Sequence, residues 1–271
     1  MGVQHRDGHA MSGKARVEMQ NDGRVARIVL AAPKANILDE GMVTELDEIF
    51  ETIEWRRDLC AIVVTSDGPH FSFGASVEEH LPGRIEGALS RLGGLLRRIA
   101  SAPAPTIAAV RGQCLGGGFE LALACDLIIA EENAQLGAPE IRLGVFPPAA
   151  CALLPVRIGI ARASSMILTG RSWSGVQALH SGLVTQVATE GQLESSLAAF
   201  IEECFLPRSA AALHYATRAM RRHVVRALQE DLPALDRLYL EELMREPDAV
   251  EGIRAFLERR DPQWSRKEVA K

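Results

Sequence analysis

Two glutamates occur in sequence surroundings that are unusual for a surface carboxylate. Glu120 follows a triple glycine and precedes an apolar run in Arg111-Gly-Gln-Cys-Leu-Gly-Gly-Gly-Phe-Glu-Leu-Ala-Leu-Ala-Cys-Asp126. Glu140 lies in Leu136-Gly-Ala-Pro-Glu-Ile-Arg-Leu-Gly-Val-Phe-Pro-Pro148, bounded by glycine and proline. A carboxylate among apolar side chains is costly to bury unpaired, which indicates a need for its charge or proton. Taken singly, each glutamate is better explained as a surface residue or as the ion-pair partner of an arginine such as Arg142.

The triple glycine at 116–118 admits two interpretations. Glycines between a strand and a helix make a tight turn and let the helix pack closely on the sheet. Backbone N–H groups at a helix N-terminus, free of side chains, also stabilise a developing negative charge. The spacing matches neither a phosphate loop nor a dinucleotide fingerprint. Because Glu120 falls in the first turn of the following helix, its side chain can reach the place that these N–H groups face.

Alternating strands and helices are predicted on either side of this turn. Residues 15–19 and 25–30 flank Asn21-Asp-Gly23, a strong hairpin signal. Apolar periodicity and turn residues then predict helices at 42–55 and 85–100 and strands at 60–65, 106–110 and 127–130. This order predicts a layered α/β architecture up to about residue 187. From residue 192 onward almost all signals are helical, so we expect residues 16–190 to form the core, residues 191–271 a helical domain, and residues 1–15 a disordered N-terminus.

Composition limits the classes of function. The chain has 271 residues, 47% hydrophobic and 24% charged, with a net charge of −5. No basic block favours nucleic acid or an anionic membrane, and neither a secretory signal nor a membrane-spanning run is present, so we expect no such partners and a cytoplasmic location. The cysteines are odd in number and lack Cys-x-x-Cys or histidine clusters at metal-ligand spacing, so we expect reduced packing residues and no metal site.

Several blocks of the sequence, in this order and at these separations, are similar to the signature of the crotonase (enoyl-CoA hydratase/isomerase) superfamily. The main blocks are Phe71-Ser-Phe-Gly-Ala-Ser-Val77, Gly112-Gln-Cys-Leu-Gly-Gly-Gly-Phe-Glu120 with Cys125-Asp126, and Gln135-Leu-Gly-Ala-Pro-Glu-Ile-Arg-Leu-Gly-Val145. Pro33-Lys-Ala-Asn36, Thr169-Gly-Arg171 and Gly182-Leu-Val184 also match, so the resemblance covers about residues 25–267. It implies an α/β ClpP-like spiral of ββα units with a helical C-terminal trimerisation domain, in a homotrimer or a dimer of trimers.

The resemblance also implies roles for individual residues. The oxyanion hole, which grips the thioester carbonyl of an acyl-CoA, falls on the backbone N–H groups of Ala75 and Gly117. The catalytic carboxylates fall on Glu120 and Glu140, which would share a water molecule, and having both favours hydration over isomerisation, dehalogenation or thioester hydrolysis. Coenzyme A enters as part of the substrate, with no other cofactor. The expected CoA and substrate contacts are Lys34, Ala35, Ile37, Phe73, Ser76, Val77, Leu115, Gly116, Pro139, Leu143, Phe256 and Lys267, although Lys34 is equally a solvated loop lysine.

One departure from the family pattern narrows the choice of substrate. Ser76 stands where most hydratases have Asp, and the segments 33–39, 73–82 and 144–148 resemble the cyclohexa-1,5-diene-1-carbonyl-CoA hydratase branch, which acts in anaerobic benzoyl-CoA breakdown. That branch adds water at the β carbon and a proton at the far end of the diene, giving 6-hydroxycyclohex-1-ene-1-carbonyl-CoA. The alternatives are an enoyl-CoA hydratase/isomerase acting on another acyl-CoA and a non-catalytic, RNA-binding crotonase-fold protein. The acidic balance and the two glutamates disfavour the RNA-binding alternative.

Overall fold

The computed structural model describes residues 13–265, which form two β-sheets and a series of helices. The nine strands are β1 (Ala15–Gln20), β2 (Val25–Leu30), β3 (Ala61–Ser66), β4 (Thr106–Val110), β5 (Gln113–Leu115), β6 (Leu127–Glu131), β7 (Gln135–Gly137), β8 (Trp173–Ser174) and β9 (Gln186–Ala188). The large sheet has the order β1-β2-β3-β4-β6-β9 and the small sheet β5-β7-β8. β1 and β2 form the predicted antiparallel hairpin, and every other pair in the large sheet is parallel.

Helices cover the sheets and dominate the C-terminal part of the chain. They are α1 (Glu40–Ile53), α2 (Ile85–Ala100), α3 (Gly117–Ala124), α4 (Pro148–Ile158), α5 (Ile160–Thr169), α6 (Gly175–Ser181), α7 (Leu193–Cys204), α8 (Ala210–Met220), α9 (Arg222–Arg226), α10 (Leu232–Arg237) and α11 (Pro247–Leu257). Short 3₁₀ helices cover Val77–His80, Glu140–Leu143 and Leu243–Arg245, and π-helical turns cover Ala227–Asp231 and Leu238–Glu242. None of the helices within residues 13–265 is long and apolar enough to cross a bilayer.

The central strands are buried on both faces. All six residues of β3 are buried, which is typical of a parallel strand covered on both sides. Successive side chains point to opposite faces, so Ile62 and Val64 join the core beneath α1 and α2, whereas Ala61 and Val63 join a second core beneath α7. The large sheet is therefore the middle layer of the molecule.

A repeat of strand, strand and helix positions the glycine-rich turn. In the segments β4-β5-α3 and β6-β7-α4 the first strand joins the large sheet and the second joins the small one. The two segments stack in parallel, because β4 pairs with β6 and β5 pairs with β7. This repeat confirms the predicted α/β spiral of ββα units. The short strands β5, β7 and β8 were not predicted from the sequence.

The ends of the chain bear on two sequence predictions. The first strand begins at Ala15, the last residue of the segment 1–15 expected to be disordered, and residues 1–12 of that segment lie outside the described part. From Leu193 to the end of α11 the structure contains helices without a further strand, as the helical periodicity predicts. Lys267 lies outside the described residues.

A buried arginine fastens these C-terminal helices to the core. Arg221 caps α8 and is 4% exposed. Its guanidinium donates to both carboxylate oxygens of Asp126, at 2.8 and 2.6 Å. It also donates to the carbonyl oxygens of Ala102 and Ala104, just before β4. These contacts join the helical region to the strand that leads into the glycine-rich turn.

We expect Arg221→Ala to lower the free energy of unfolding by about 3–5 kcal/mol, because it removes the charged partner of the Asp126 carboxylate, which keeps only the donors of Thr106, and it removes the donor of two carbonyls. Urea unfolding at a fixed protein concentration measures this change. Arg226→Ala is the matched control: its ion pair with Glu230 is exposed, so its loss should cost less than about 1 kcal/mol. Similar losses for the two variants would show that Arg221 is not an anchor.

Candidate active site

Two loops bring the backbone of Ala75 against that of Gly117. A Cβ atom built on Gly117 would lie 3.1 Å from the Ala75 nitrogen, a contact that would push the two backbones apart by a few tenths of an ångström, so glycine favours this approach. Gly74 and Gly116 precede the two residues with φ angles of 105° and 51°, in the region that favours glycine. Within residues 13–265 neither the Ala75 N–H nor the Gly117 N–H donates a hydrogen bond. The structure therefore brings together two free amide donors at the positions where the family resemblance implies an oxyanion hole.

The loop that carries Ala75 is held by a buried hydroxyl. Ser72 donates from its hydroxyl to the Asn36 carbonyl at 2.7 Å and accepts from the Gly74 N–H at 3.0 Å. The Asn36 side chain in turn donates to the carbonyls of Asp67 and His70. These positioning roles of Ser72 and Asn36 were not predicted from the sequence. The only signal was their presence in the family-like blocks at 33–36 and 71–77.

Glu120 lies in the first turn of α3 and is 4% exposed. Its Oε1 accepts a hydrogen bond of 2.9 Å from the Ala150 N–H in the first turn of α4. Burial raises the pKa of the Glu120 carboxyl, and the N–H groups of Ala150 and Ala149 oppose part of that rise. The alternative of a surface glutamate is therefore wrong for this residue.

Glu140 begins the 3₁₀ helix Glu140–Leu143, on the other side of the glycine-rich turn. Its Oε1 would lie 2.6 Å from a Cβ built on Gly116, so the carboxylate lies directly against the residue that precedes the Gly117 donor. Within the described residues its buried Oε2 has no hydrogen-bond partner, and no ion pair joins it to Arg142. Burial, and then the charge of Glu120, raise the pKa of the Glu140 carboxyl. The two carboxyls are thus close enough to disfavour ionisation of both.

Two cavities meet at this point. An inner cavity of about 30 Å³ is lined by Glu120, Glu140, Ala75 and Gly117, by apolar side chains of α1 and α2, and by the charged residues Glu40, Glu79 and Arg91, which pair with one another. An outer channel of about 670 Å³ leads to it. Among the described residues, the channel is lined by all the predicted CoA and substrate contacts except Lys34, namely Ala35, Ile37, Phe73, Ser76, Val77, Leu115, Gly116, Pro139, Leu143 and Phe256.

The remaining predicted contacts are placed as follows. Lys34 is exposed and does not line the channel. Ser76 lines the outer channel but not the inner cavity, and its carbonyl accepts from the ring of His80. His80 was not predicted as a site residue although it lines both cavities. Its only sequence signal was the unusual run Glu78-Glu-His80.

The last helix supports the Glu140 side of the site. A Cβ built on Gly252 of α11 would lie 2.2 Å from the Leu143 carbonyl oxygen, so α11 packs directly against the 3₁₀ helix that carries Glu140. The same helix contributes Phe256 and Leu257 to the wall of the channel. Elements from both ends of the sequence therefore shape this site.

Comparison with known proteins agrees with this geometry. The family model described as enoyl-CoA hydratase/isomerase matches residues 20–267. The chain belongs to the enoyl-CoA hydratase/isomerase family. It is 42% identical over 253 residues to a cyclohexa-1,5-dienecarbonyl-CoA hydratase of Thauera aromatica, covering 93% of this chain and 97% of that protein. It is 34% identical to a probable enoyl-CoA hydratase of Bacillus subtilis, covering 92% and 98% of the two chains.

Solved structures of this family share the fold. An enoyl-CoA hydratase from Mycobacterium avium subsp. paratuberculosis superposes with a TM-score of 0.82 at 27% identity, covering 94% of this chain and 99% of that one. The similarity therefore extends over the core and the C-terminal helices. It confirms the predicted superfamily.

The raised carboxyl pKa values predict a pH-dependent stability. A carboxyl whose pKa is higher in the folded state stabilises the fold at and below its unfolded pKa, and this contribution is lost as the pH rises through the folded pKa. The usual pKa of glutamate is about 4.3. As the pH rises from that value through neutrality, the free energy of unfolding of Glu120→Gln and of Glu140→Gln should therefore increase progressively relative to that of the wild type.

Urea unfolding at a series of pH values measures this difference. Glu203→Gln, which changes an exposed residue of α7, should show no such trend. A difference between the Glu120 or Glu140 variant and the wild type that stays constant with pH would contradict the raised pKa values.

Proposed function

We propose that this chain is a hydro-lyase that adds water across the conjugated C=C bond of an acyl-CoA thioester. The observation that carries the proposal is the convergence of two free amide donors and two buried carboxyls on one small cavity. The outer channel, with its largely apolar wall, supports entry of a long thioester from solvent to that cavity. Family membership supports the same reaction class.

Each group has a chemical role in this proposal. The N–H groups of Ala75 and Gly117 donate to the thioester oxygen, where negative charge develops when water attacks the β carbon. Removal of one such donor typically costs about 2.7–4 kcal/mol of transition-state stabilisation. One carboxylate of the Glu120 and Glu140 pair takes a proton from the attacking water, and the other, protonated, delivers a proton to carbon. The raised pKa values support the presence of one proton on the pair at neutral pH.

We propose a cyclic conjugated dienoyl-CoA, cyclohexa-1,5-diene-1-carbonyl-CoA, as the substrate. The 42% identity to the cyclohexa-1,5-dienecarbonyl-CoA hydratase of Thauera aromatica supports this substrate. Water adds at the β carbon, and the dienolate is protonated at the far end of the diene, which gives 6-hydroxycyclohex-1-ene-1-carbonyl-CoA and places the reaction in aromatic degradation. A linear enoyl-CoA is the second candidate, supported by the probable enoyl-CoA hydratase relative.

The CoA part of the substrate would follow the outer channel. The rings of Phe73 and Phe256 are exposed at its wall and offer apolar surface to the pantetheine arm or the adenine. Lys34 remains a proposed contact of the CoA arm, and Lys267 remains a proposed contact of the adenine or its phosphates. The oxyanion donors and the carboxyls account for every proton and charge in the reaction, which supports a mechanism without a cofactor beyond the CoA of the substrate.

We expect Glu120→Gln and Glu140→Gln each to lower kcat by about two to four decades, because each removes a group that carries a proton in the transition state. Hydration of the cyclic dienoyl-CoA and of crotonyl-CoA is followed side by side with purified protein. Glu203→Gln should retain wild-type turnover. Near wild-type turnover of either site variant would refute the role of that glutamate, and a preference of the wild type for crotonyl-CoA would transfer the substrate assignment to linear enoyl-CoAs.

We also propose a homotrimer or a dimer of trimers in the cytoplasm. The five free cysteines are compatible with a reducing compartment. Large apolar side chains on the C-terminal helix α8, Tyr215 at 67% and Met220 at 79% exposure, support burial against a neighbouring subunit. Sedimentation at micromolar concentration should give a trimer or hexamer, which the double variant Tyr215→Asp, Met220→Asp weakens.

Trp55→Asp is the control for this substitution, since Trp55 is 76% exposed but follows α1, outside the helical C-terminal region. It should leave the sedimentation coefficient unchanged. A monomeric wild type, or equal effects of the two substitutions, would count against assembly through α8.

A further inference from the structure

Three residues line both the inner cavity and the outer channel: Ala75, Glu140 and His80. They define the constriction through which an acyl group passes from the channel into the cavity. Ala75 carries one of the two free amide donors, and Glu140 is one of the two carboxyls. His80 therefore lines the same constriction as one amide donor and one carboxyl of the site, yet the reaction described above gives it no role.

The ring of His80 is held in one tautomer by the backbone. His80 ends the 3₁₀ helix Val77–His80, and its Nδ1 lies 2.9 Å from the carbonyl oxygen of Ser76. A carbonyl oxygen only accepts hydrogen bonds, so Nδ1 carries the hydrogen. Burial lowers the pKa of His80, which keeps the imidazole neutral near pH 7. In that state Nε2 has a lone pair and no hydrogen, so it is an acceptor.

Two acceptors at the constriction have no donor. Within residues 13–265 no group donates to His80 Nε2, and the buried Oε2 of Glu140 likewise has no partner. A buried acceptor such as Glu140 Oε2 is almost always satisfied in folded proteins or their complexes. His80 is half-buried, and solvent reaches its Nε2, so a water can approach this acceptor from the cavities that the ring lines. The C=C bond and the thioester offer no hydrogen-bond donor. Water offers two, and a cavity of about 30 Å³ is large enough to hold one.

We propose that His80 is a catalytic residue that accepts a hydrogen bond from the attacking water through Nε2. One O–H of the water donates to the ionised carboxylate of the glutamate pair and loses its proton to it. The other O–H donates to His80 and stays on the oxygen, so it becomes the hydroxyl of the product. The new C–O bond uses a lone pair of the water oxygen, and the protonated carboxyl supplies the carbon-bound hydrogen. This assignment rests on the proposed hydration and adds a third anchor that aims the oxygen.

Two substitutions of His80 test the roles of its two ring nitrogens separately. His80→Asn places an amide N–H near the position of Nδ1, which keeps the donor to the Ser76 carbonyl but leaves nothing at Nε2. His80→Gln is longer and places an acceptor oxygen near the position of Nε2. We expect His80→Asn to lower kcat for hydration by roughly 10- to 100-fold, the scale for losing one hydrogen bond in the transition state, with KM changed less than about threefold. His80→Gln should keep kcat within about fivefold of the wild type.

The reverse reaction and binding provide further readouts. Dehydration of the hydroxyacyl-CoA product should lose kcat by the same factor in His80→Asn, since the same hydrogen bond holds the product hydroxyl. Affinity for the saturated acyl-CoA, which has no reacting water, should be unchanged in both variants and also shows that they are folded. His180→Asn, at an exposed histidine of α6, is the matched control and should behave as the wild type.

The outcomes distinguish this proposal from the proposed function. A wild type that hydrates neither substrate refutes the function and this role with it. A wild type that hydrates either substrate, with His80→Asn equally fast, refutes only the role of His80. Equal losses in the Asn and Gln variants, or a loss of affinity for the saturated acyl-CoA, would also overturn it, because they would make His80 a packing residue of the constriction.

Discussion

The close approach of the Ala75 and Gly117 backbones is the constraint on which the site depends. A single added Cβ on Gly117 would lie 3.1 Å from the Ala75 nitrogen, which is tighter than side chains normally tolerate. The small sheet, the Ser72 hydroxyl and the left-handed glycines before both residues all serve to hold two loops from distant parts of the chain at this spacing. Two amide donors fixed in advance need no reorganisation when charge develops between them, and this is the source of their effect.

The two carboxyls of the site, in contrast, lower the stability of the fold. A buried carboxylate is destabilising, and two of them are more so. The structure limits this cost because the side chain of Glu120, from α3, points at the first turn of α4. There its carboxyl accepts from the N–H of Ala150 and lies at the positive end of the dipole of α4. Glu140 has no comparable protein partner for its Oε2, so its environment is completed only when a ligand or water is present. The buried carboxyls therefore lower the stability of the fold, and they are the groups that the proposed reaction requires.

The sequence was sufficient for the long elements and for the glycine-rich turn. Residues 85–100 have clear helical periodicity and end at Ser101-Ala-Pro-Ala-Pro105, so both bounds of α2 agree with the prediction. The strands β5, β7 and β8 have two or three residues, which is too short to show a period, and they depend on pairing with distant segments. Contacts such as Glu120 with Ala150 and the placement of His80 at the constriction arise from tertiary packing alone, which no local pattern in a single sequence encodes.

The packing of α11 has a thermodynamic consequence. This helix lies against the 3₁₀ helix of Glu140 through Gly252, and it lends Phe256 and Leu257 to the channel wall. A thioester that contacts Phe256 therefore favours the docked over the undocked helix, and docking in turn favours the thioester by the same free energy. Amide hydrogens of residues 247–257 should accordingly exchange more slowly in the complex than in the free protein. Helix α11 is in this sense a ligand-stabilised part of the channel wall, packed against the 3₁₀ helix that carries Glu140.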